Sequence, residues 1–226
     1  MRERPFRTNP YSIDVVLVTA MGNELAILLT RGSTERERWS LPWRTPQTGE
    51  TLESAAVRAA QDALGERPIW MEQIGAFGDA KRHPSDSEIS VAFLGLVPHE
   101  TASPSAGYTW FPIRDLPQLS PRQRAIVEGA MRTVQERLDQ APIAFRLLPS
   151  TFTLSELQQM YELLLGKRLH KASFRRALQA AWLVEPTDAW RSEGRGRPAQ
   201  LFRYAPKKKR RPRRGVRFDF LYSETS

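Results

Sequence analysis

Apolar and polar residues follow one another along the first 140 residues in a pattern typical of a mixed α/β domain. Two runs rich in apolar residues, Ser12–Met21 and Glu24–Arg31, are separated by Gly22 and Asn23, which predicts a β-hairpin. Three later apolar runs predict further strands, at Glu72–Phe77, Ile89–Val97 and Tyr108–Ile113.

Two other segments repeat their apolar residues with the period of a helix. Thr51–Leu64 places small residues on one face, so that a sheet can approach it closely, and Gly65 is positioned to end the helix. Those small residues are Ala55, Ala56, Ala59, Ala60 and Ala63. Ser120–Leu138 is the second amphipathic helix. The order of elements predicts an α/β (α+β) fold, an α/β/α sandwich with a mixed sheet.

The last third of the chain has the pattern of a small helical domain with a hairpin. Thr153–Glu156 forms a capping-box sequence, and Gly166 is placed to end the helix that follows. Lys171–Ala181 predicts a second helix, and Leu183–Arg191 and Leu201–Tyr204 predict two strands. This order is typical of a winged helix-turn-helix. We therefore divide the chain into residues 1–142, residues 143–205 and a basic tail, residues 206–226.

Charge separates the two halves of the 226-residue chain. Residues 1–142 carry 16 Lys and Arg against 18 Asp and Glu, a net charge of −2. Residues 143–226 carry 18 against 7, a net charge of +11. This asymmetry is typical of a polyanion-binding module attached to a neutral domain. A solubilising tail is the alternative interpretation, because eight of the basic residues lie between Lys207 and Arg217.

Several classes of protein are excluded by composition. The chain has no cysteine, which excludes disulfide scaffolds, thiolate metal sites and cysteine nucleophiles. It has no apolar run long enough to span a bilayer and no secretory signal at its start. His83, His99 and His170 are too dispersed to predict a zinc site. We expect a cytoplasmic, nucleoid-associated protein with no membrane contact, no cofactor and no metal.

The segment around the first predicted helix resembles the Nudix box, G-x5-E-x7-R-E-U-x-E-E-x-G-U, where U is aliphatic. Glu50 and Arg58 match it. In Nudix enzymes, the carboxylates of the box hold divalent cations against a diphosphate. The three later glutamate positions are Ala59, Asp62 and Ala63 in this chain. Because one shortened carboxylate cannot replace three, we expect no catalytic residues. We interpret Glu50 and Arg58 as a structural ion pair that Asp62 can share.

Segments in both halves carry a second resemblance. They are residues 72–79, 82–84, 145–149, 152–158, 173–176 and 196–199. These segments are similar to Nudix-related transcriptional regulators of the NrtR type. The resemblance implies a Nudix-like sensor, a homodimer, and a winged helix that binds a double-stranded DNA operator. It also implies ADP-ribose or a similar nucleotide as effector, and control of genes of NAD or nucleotide-sugar metabolism.

The resemblance also assigns candidate ligand-binding residues. It places Arg31, Arg44, Arg58 and Arg82 near the ligand cleft, with Trp43 beside it. Arginine grips phosphate bidentately and keeps its charge, so we expect metal-independent binding of an ADP-ribose-like nucleotide. Trp43 and Arg44 stand where the family usually has glycines. The alternative is therefore that they fill the diphosphate path and leave a domain that only dimerises.

Candidate DNA-binding residues lie on the polar side of the second helix of the winged helix. They are Lys171, Ser173, Arg175, Arg176 and Gln179. Arginine can read guanine and glutamine can read adenine in the major groove, although phosphate contacts alone are the other interpretation. Arg195 and Arg197, on a glycine-containing tip, suit a narrow minor groove.

Three functional hypotheses follow from the sequence. The first is a ligand-responsive transcriptional regulator that acts as a repressor. The second is a Nudix hydrolase acting on a nucleoside diphosphate derivative, which would show metal-dependent turnover. The third is an architectural DNA-binding protein with a Nudix-shaped dimerisation domain, which would bind DNA with little sequence preference.

Overall fold

The computed structural model describes residues 10–34, 37–68, 70–78, 83–85, 87–101, 103–138, 140–192 and 198–205. The chain folds into two compact units, divided between Thr133 and Val134. Arg82, Arg195, Arg197 and the tail, residues 206–226, lie outside the described residues. None of the described helices is both long and apolar enough to cross a membrane.

Seven strands of the described chain form one sheet in the first unit. They are β1 (Tyr11–Met21), β2 (Glu24–Thr34), β3 (Glu37–Ser40), β4 (Trp43–Arg44), β5 (Trp70–Gly78), β6 (Ile89–Leu96) and β7 (Tyr108–Pro112). The main strand order is β3-β2-β1-β6-β5, while β4 also pairs with β1 and β7 with β2. The β1–β6 pair is parallel and the other pairs are antiparallel. The predicted mixed sheet is confirmed.

One face of the sheet is covered by helix α1 (Leu52–Leu64). Thr51 caps its first turn by accepting a hydrogen bond from the backbone N–H of Ser54, and Gly65 ends it at φ +75°. The alanines of α1 lie against Ile13, Leu17 and Phe93 of the sheet. Because alanine has a short side chain, the helix packs closely on β1 and β6.

The opposite face is covered by helix α2 (Pro121–Arg137). Phe77 of β5 is opposite Ser90 of β6, one residue out of step with the β6 side chains that face α1, so it points away from α1. A Cβ on Gly129 of α2 would lie 2.9 Å from the Phe77 ring. Helices therefore lie on both faces of the sheet, and the predicted α/β/α sandwich is confirmed.

Strands β3 and β4 were not expected from the sequence. Pro42 interrupts the apolar run between them, and β4 is only two residues long. The pairing nevertheless holds, because the Val15 N–H donates to the Pro42 carbonyl (2.8 Å) and β4 pairs with Ile13 and Asp14 of β1.

The second unit has the predicted winged-helix order. Its elements are β8 (Thr151–Phe152), α3 (Leu154–Leu165), α4 (Lys171–Ala181), β9 (Val184–Arg191) and β10 (Ala199–Tyr204). The strands form a sheet in the order β8-β10-β9, in which β8 was not expected. Aromatic rings form much of the core, with Phe145 against Phe152 and Tyr161 against Phe174.

The predicted capping box starts α3. The Glu156 N–H donates to Thr153 Oγ1 (3.1 Å), and the Thr153 N–H donates to Glu156 Oε2 (2.7 Å). Arg191 of β9 also donates to the Glu156 carboxylate. The Glu156 side chain therefore both caps the N-terminus of α3 and binds a strand of the wing.

Replacing Thr153 by alanine tests this cap. We expect Thr153→Ala to lower the free energy of unfolding of the second unit by about 1 kcal/mol, because the backbone N–H of Glu156 loses its acceptor. Ser155→Ala, an exposed change in the same helical turn, is the matched control and should cost little. Urea unfolding of both variants measures the difference, and equal stabilities would contradict the assignment.

Candidate functional site

A bidentate ion pair holds the loop before α1. Arg58 donates from Nε to Glu50 Oε1 (3.0 Å) and from Nη2 to Glu50 Oε2 (2.7 Å). Arg58 also donates to the Thr45 carbonyl, and the Gln47 N–H donates to Glu50. The hydrogen bond from Arg58, followed by that from Gln47, lowers the pKa of Glu50, and the same pair raises the pKa of Arg58. The loop is thus fixed to the helix by charge-assisted bonds.

A second ion pair joins β4 to α1. Arg44 Nε donates to Asp62 Oδ2 (2.7 Å), and the two side chains are 44% and 38% exposed. Asp62 therefore accepts its hydrogen bond from Arg44, while its charge adds to the effect of Glu50 in raising the pKa of Arg58. Glu50 takes both the Nε and the Nη2 donor of Arg58.

Tyr108 lies beside this second pair, although the sequence analysis gave it no role. Burial raises the pKa of its hydroxyl, with the Arg44 cation lowering it and the Asp62 carboxylate raising it. Tyr108 is half-buried and packs against the core beneath α1. In sequence it is indistinguishable from an ordinary core aromatic residue of a strand.

The predicted ligand-binding residues that the structure describes do not form one cluster. Arg44 is opposite Ile13 of β1 and Trp43 is opposite Asp14, so their side chains leave β4 on opposite faces of the sheet. Arg44 shares the α1 face with Arg58. Trp43 instead contacts His83 on the α2 face, with ring centroids 5.4 Å apart and ring planes at 80°.

Arg31 also lies away from the ion pairs. It stands three residues beyond Leu28, whose side chain faces α1, so strand alternation puts Arg31 on the other face. Its guanidinium lies 5.9 Å from the centre of the Trp39 ring, a cation–π distance. Arg82, the fifth predicted ligand residue, is outside the described part of the chain.

A buried pair of titratable residues was missed by the sequence analysis. His83 Nε2 lies 2.8 Å from Asp14 Oδ1, and both side chains are fully buried. The available signal was an aspartate at position 14 within an otherwise apolar strand, since a buried carboxylate requires a partner. The partner itself is 69 residues further along the chain.

In the second unit, α4 presents the predicted DNA-binding residues to solvent. Lys171, Arg175, Arg176 and Gln179 are exposed, while Phe174 and Leu178 are buried. Ser173 is half-buried, and its hydroxyl lies within hydrogen-bond distance of His170 and Arg176. The helix thus has one face in the core and a polar face with three cations.

Comparison with known proteins identifies both units. Residues 8–130, more than half of the chain, match the NUDIX domain. The chain belongs to the NUDIX family. Residues 144–204 match the NrtR DNA-binding winged helix domain, so this NUDIX-family chain carries that domain after its first unit.

Similarity to individual NUDIX-family regulators extends over both units. The ADPR responsive transcriptional repressor NtrR of Acinetobacter baylyi is 26% identical in an alignment of 204 residues, which covers 86% of this chain and 81% of that protein. The structure of Shewanella oneidensis NrtR is 26% identical with a TM-score of 0.78, covering 92% of this chain and 99% of that one. The same S. oneidensis protein in complex with a 27mer DNA is 27% identical with a TM-score of 0.76, covering 88% and 94%.

The metal ions that the Nudix box holds in enzymes of the family do not fit these residues. Ala59 and Ala63, at two of the glutamate positions, are buried in the core. Glu50 and Asp62 are each bound by an arginine. Within the described ranges, no three His, Asp or Glu side chains are grouped so that they could hold a metal ion.

The lowered pKa of Glu50 predicts a pH-dependent contribution to stability. A carboxylate with a lowered folded-state pKa stabilises the fold above its ordinary pKa of about 4.5, and this contribution disappears as the pH falls through the folded-state value. We therefore expect Glu50→Gln to lower the melting temperature near pH 7. The gap from wild type should narrow as the pH falls below about 4.5.

Thermal melts at a series of pH values measure this gap. Glu53→Gln, an exposed change in the first turn of α1, is the control and should alter the profile much less. A gap of constant size between about pH 3 and pH 7 would contradict the role of the ionised pair.

Proposed function

We propose that this protein is a DNA-binding transcriptional repressor whose Nudix domain responds to an ADP-ribose-like nucleotide. The observation that carries the proposal is the continuous likeness to S. oneidensis NrtR, which covers 88% of this chain in that protein's DNA complex. The A. baylyi relative, similar over 86% of this chain, is a repressor responsive to ADPR. We assign nucleotide sensing to residues 1–142 and DNA binding to residues 143–205.

The exposed face of α4 supplies the proposed base and phosphate contacts. Arg175 and Arg176 extend into solvent, and within the described residues neither is paired with a carboxylate, so their guanidinium groups are available to DNA. Arg195 and Arg197 are proposed to enter the minor groove, and residues 206–226 to add salt-sensitive affinity. A homodimer would read two half-sites of an operator. Such a repressor would act in the cytoplasm, at the nucleoid.

The proposed phosphate contact is Arg44. The two carboxylates and two arginines of the ion pairs cancel in charge, so a diphosphate must displace one carboxylate to gain a cation. Arg58 is held by two hydrogen bonds from its fork to Glu50, whereas the Arg44–Asp62 pair is more exposed. Exposed ion pairs contribute only about 0–1 kcal/mol, so phosphate can replace Asp62 on Arg44 at little cost.

Neutralising Asp62 tests whether phosphate replaces Asp62 as the partner of Arg44. Asp62→Asn should tighten ADP-ribose binding by up to about fivefold, because Arg44 no longer has to leave a carboxylate. Titration calorimetry with and without Mg²⁺ measures the affinity, which should not depend on the metal. Asp115→Asn, which removes another carboxylate from an exposed arginine, is the matched control and should leave the affinity unchanged.

Two outcomes of this titration contradict the proposal. Absence of heat at millimolar ADP-ribose would leave a Nudix-shaped domain that only dimerises. Metal-dependent hydrolysis of ADP-ribose at an enzymatic rate, abolished by Glu50→Gln, would instead make the protein a hydrolase.

Sequence-specific binding is tested with a duplex selected from a random library. Wild type should prefer the selected duplex to unrelated DNA by about a thousandfold or more. Arg175→Ala should weaken binding by about 1–3 kcal/mol and relax the choice at one or two base pairs. Arg203→Ala, which removes an arginine already paired with Glu185, is the charge-matched control. An affinity ratio near one between the selected and the unrelated duplex would favour the alternative of an architectural DNA-binding protein.

A further inference from the structure

Strand β4 connects the two faces of the sheet at the proposed phosphate contact. Arg44 reaches Asp62 of α1 on one face, and Trp43 contacts His83 on the other. The two residues are adjacent and form the whole strand. If Arg44 leaves Asp62 and the backbone of β4 shifts with it, the Trp43 ring must therefore also move against His83.

His83 belongs to a closed ring of five hydrogen-bonded side chains. His83 binds Asp14 (2.8 Å), and Ser12 Oγ donates to the other oxygen of Asp14 (2.9 Å). Ser87 Oγ donates to Ser12 Oγ (3.0 Å), and Ser85 Oγ donates to Ser87 Oγ (2.7 Å). Ser85 Oγ lies 2.7 Å from His83 Nδ1, which closes the ring. Ser12, Asp14, His83 and Ser87 are 0–3% exposed, so their bonds have no water to replace them.

The ring is attached to helix α2. Arg122, in the first turn of α2 and only 4% exposed, donates from Nη1 to the Ser87 carbonyl (2.9 Å). The division between the two units falls within α2, after Thr133. The contacts from Arg44 through Trp43, His83 and Ser87 thus end on the helix in which the chain passes to the second unit.

We infer that β4 and this hydrogen-bonded ring transmit nucleotide binding at Arg44 to α2, with His83 as the residue that positions Trp43. The inference rests on the proposed function, and it adds that bound nucleotide weakens operator binding along this path. Arg44 has two alternative partners, Asp62 and a phosphate, and so provides the two states that such coupling requires. When one side chain of a buried hydrogen-bonded ring is displaced, its neighbours must move with it or lose a hydrogen bond. The ring therefore transmits the displacement of His83 to Ser87.

The full-length protein, ADP-ribose and the selected operator duplex test the inference. The measured quantity is the factor by which saturating ADP-ribose weakens operator binding. Ser87→Ala and His83→Gln should reduce a wild-type factor of about tenfold or more to less than about threefold. The affinities for ADP-ribose alone and for operator alone should each stay within about twofold of wild type.

Thr19→Val is the matched control. Thr19 is on β1 with Ser12 and Asp14, and its buried hydroxyl donates to the Val97 carbonyl (2.8 Å), so the variant also loses a buried hydrogen bond. It should keep the wild-type factor. The reverse titration must give the same factors, because linkage is reciprocal.

The outcomes separate this inference from the function on which it rests. A wild-type factor retained in both Ser87→Ala and His83→Gln would overturn the inference alone, as would an equal loss of coupling in Thr19→Val. No effect of ADP-ribose on operator binding by wild type would overturn the proposed function, and the inference with it.

Discussion

The register in which β4 pairs with β1 determines what chemistry each face of the sheet carries. Arg44 lies opposite Ile13 and Trp43 opposite Asp14. A slip of one residue would exchange the two side chains, placing an indole against Asp62 and a guanidinium against the buried Asp14–His83 pair. The β1 positions that fix this register are fully buried, so the ion pair on one face and the aromatic contact on the other are specified together.

Charge balance distinguishes the α1 face from a metal-dependent diphosphate site. Such a site needs carboxylates in excess, so that cations are recruited from solvent. Here each remaining carboxylate has an arginine of its own, and alanines at the other box positions allow α1 to pack closely on the sheet. The same helix is therefore kept for its shape, and the phosphate exchange proposed at Arg44 would take the place of its ion-binding role.

The periodicity of apolar residues was sufficient to predict the long helices and strands. The spacing of eight residues between Glu50, in the loop before α1, and Arg58, in the second turn of α1, was sufficient to suggest their contact. Strand β4 was not predictable, because two residues after a proline carry no alternation. Without β4, the sequence could not show that the side chains of Trp43 and Arg44 lie on opposite faces of the sheet. The ring around His83 was equally hidden, because its members come from segments about 70 residues apart and serines carry no distinctive signal.

Stability alone does not account for that ring. Replacing a buried polar network by apolar side chains of similar shape is often neutral or stabilising, whereas removing one member leaves a buried group without its partner. Val16 and Leu94, on the same face of the sheet as Asp14, are apolar and fully buried, so apolar side chains fit this part of the interior. Apolar contacts have no preferred direction, so one apolar side chain can move without requiring its neighbours to move, whereas a hydrogen-bonded side chain cannot. That property gives the small strand β4 a rigid connection to α2, and it explains why polar groups occupy this part of the interior.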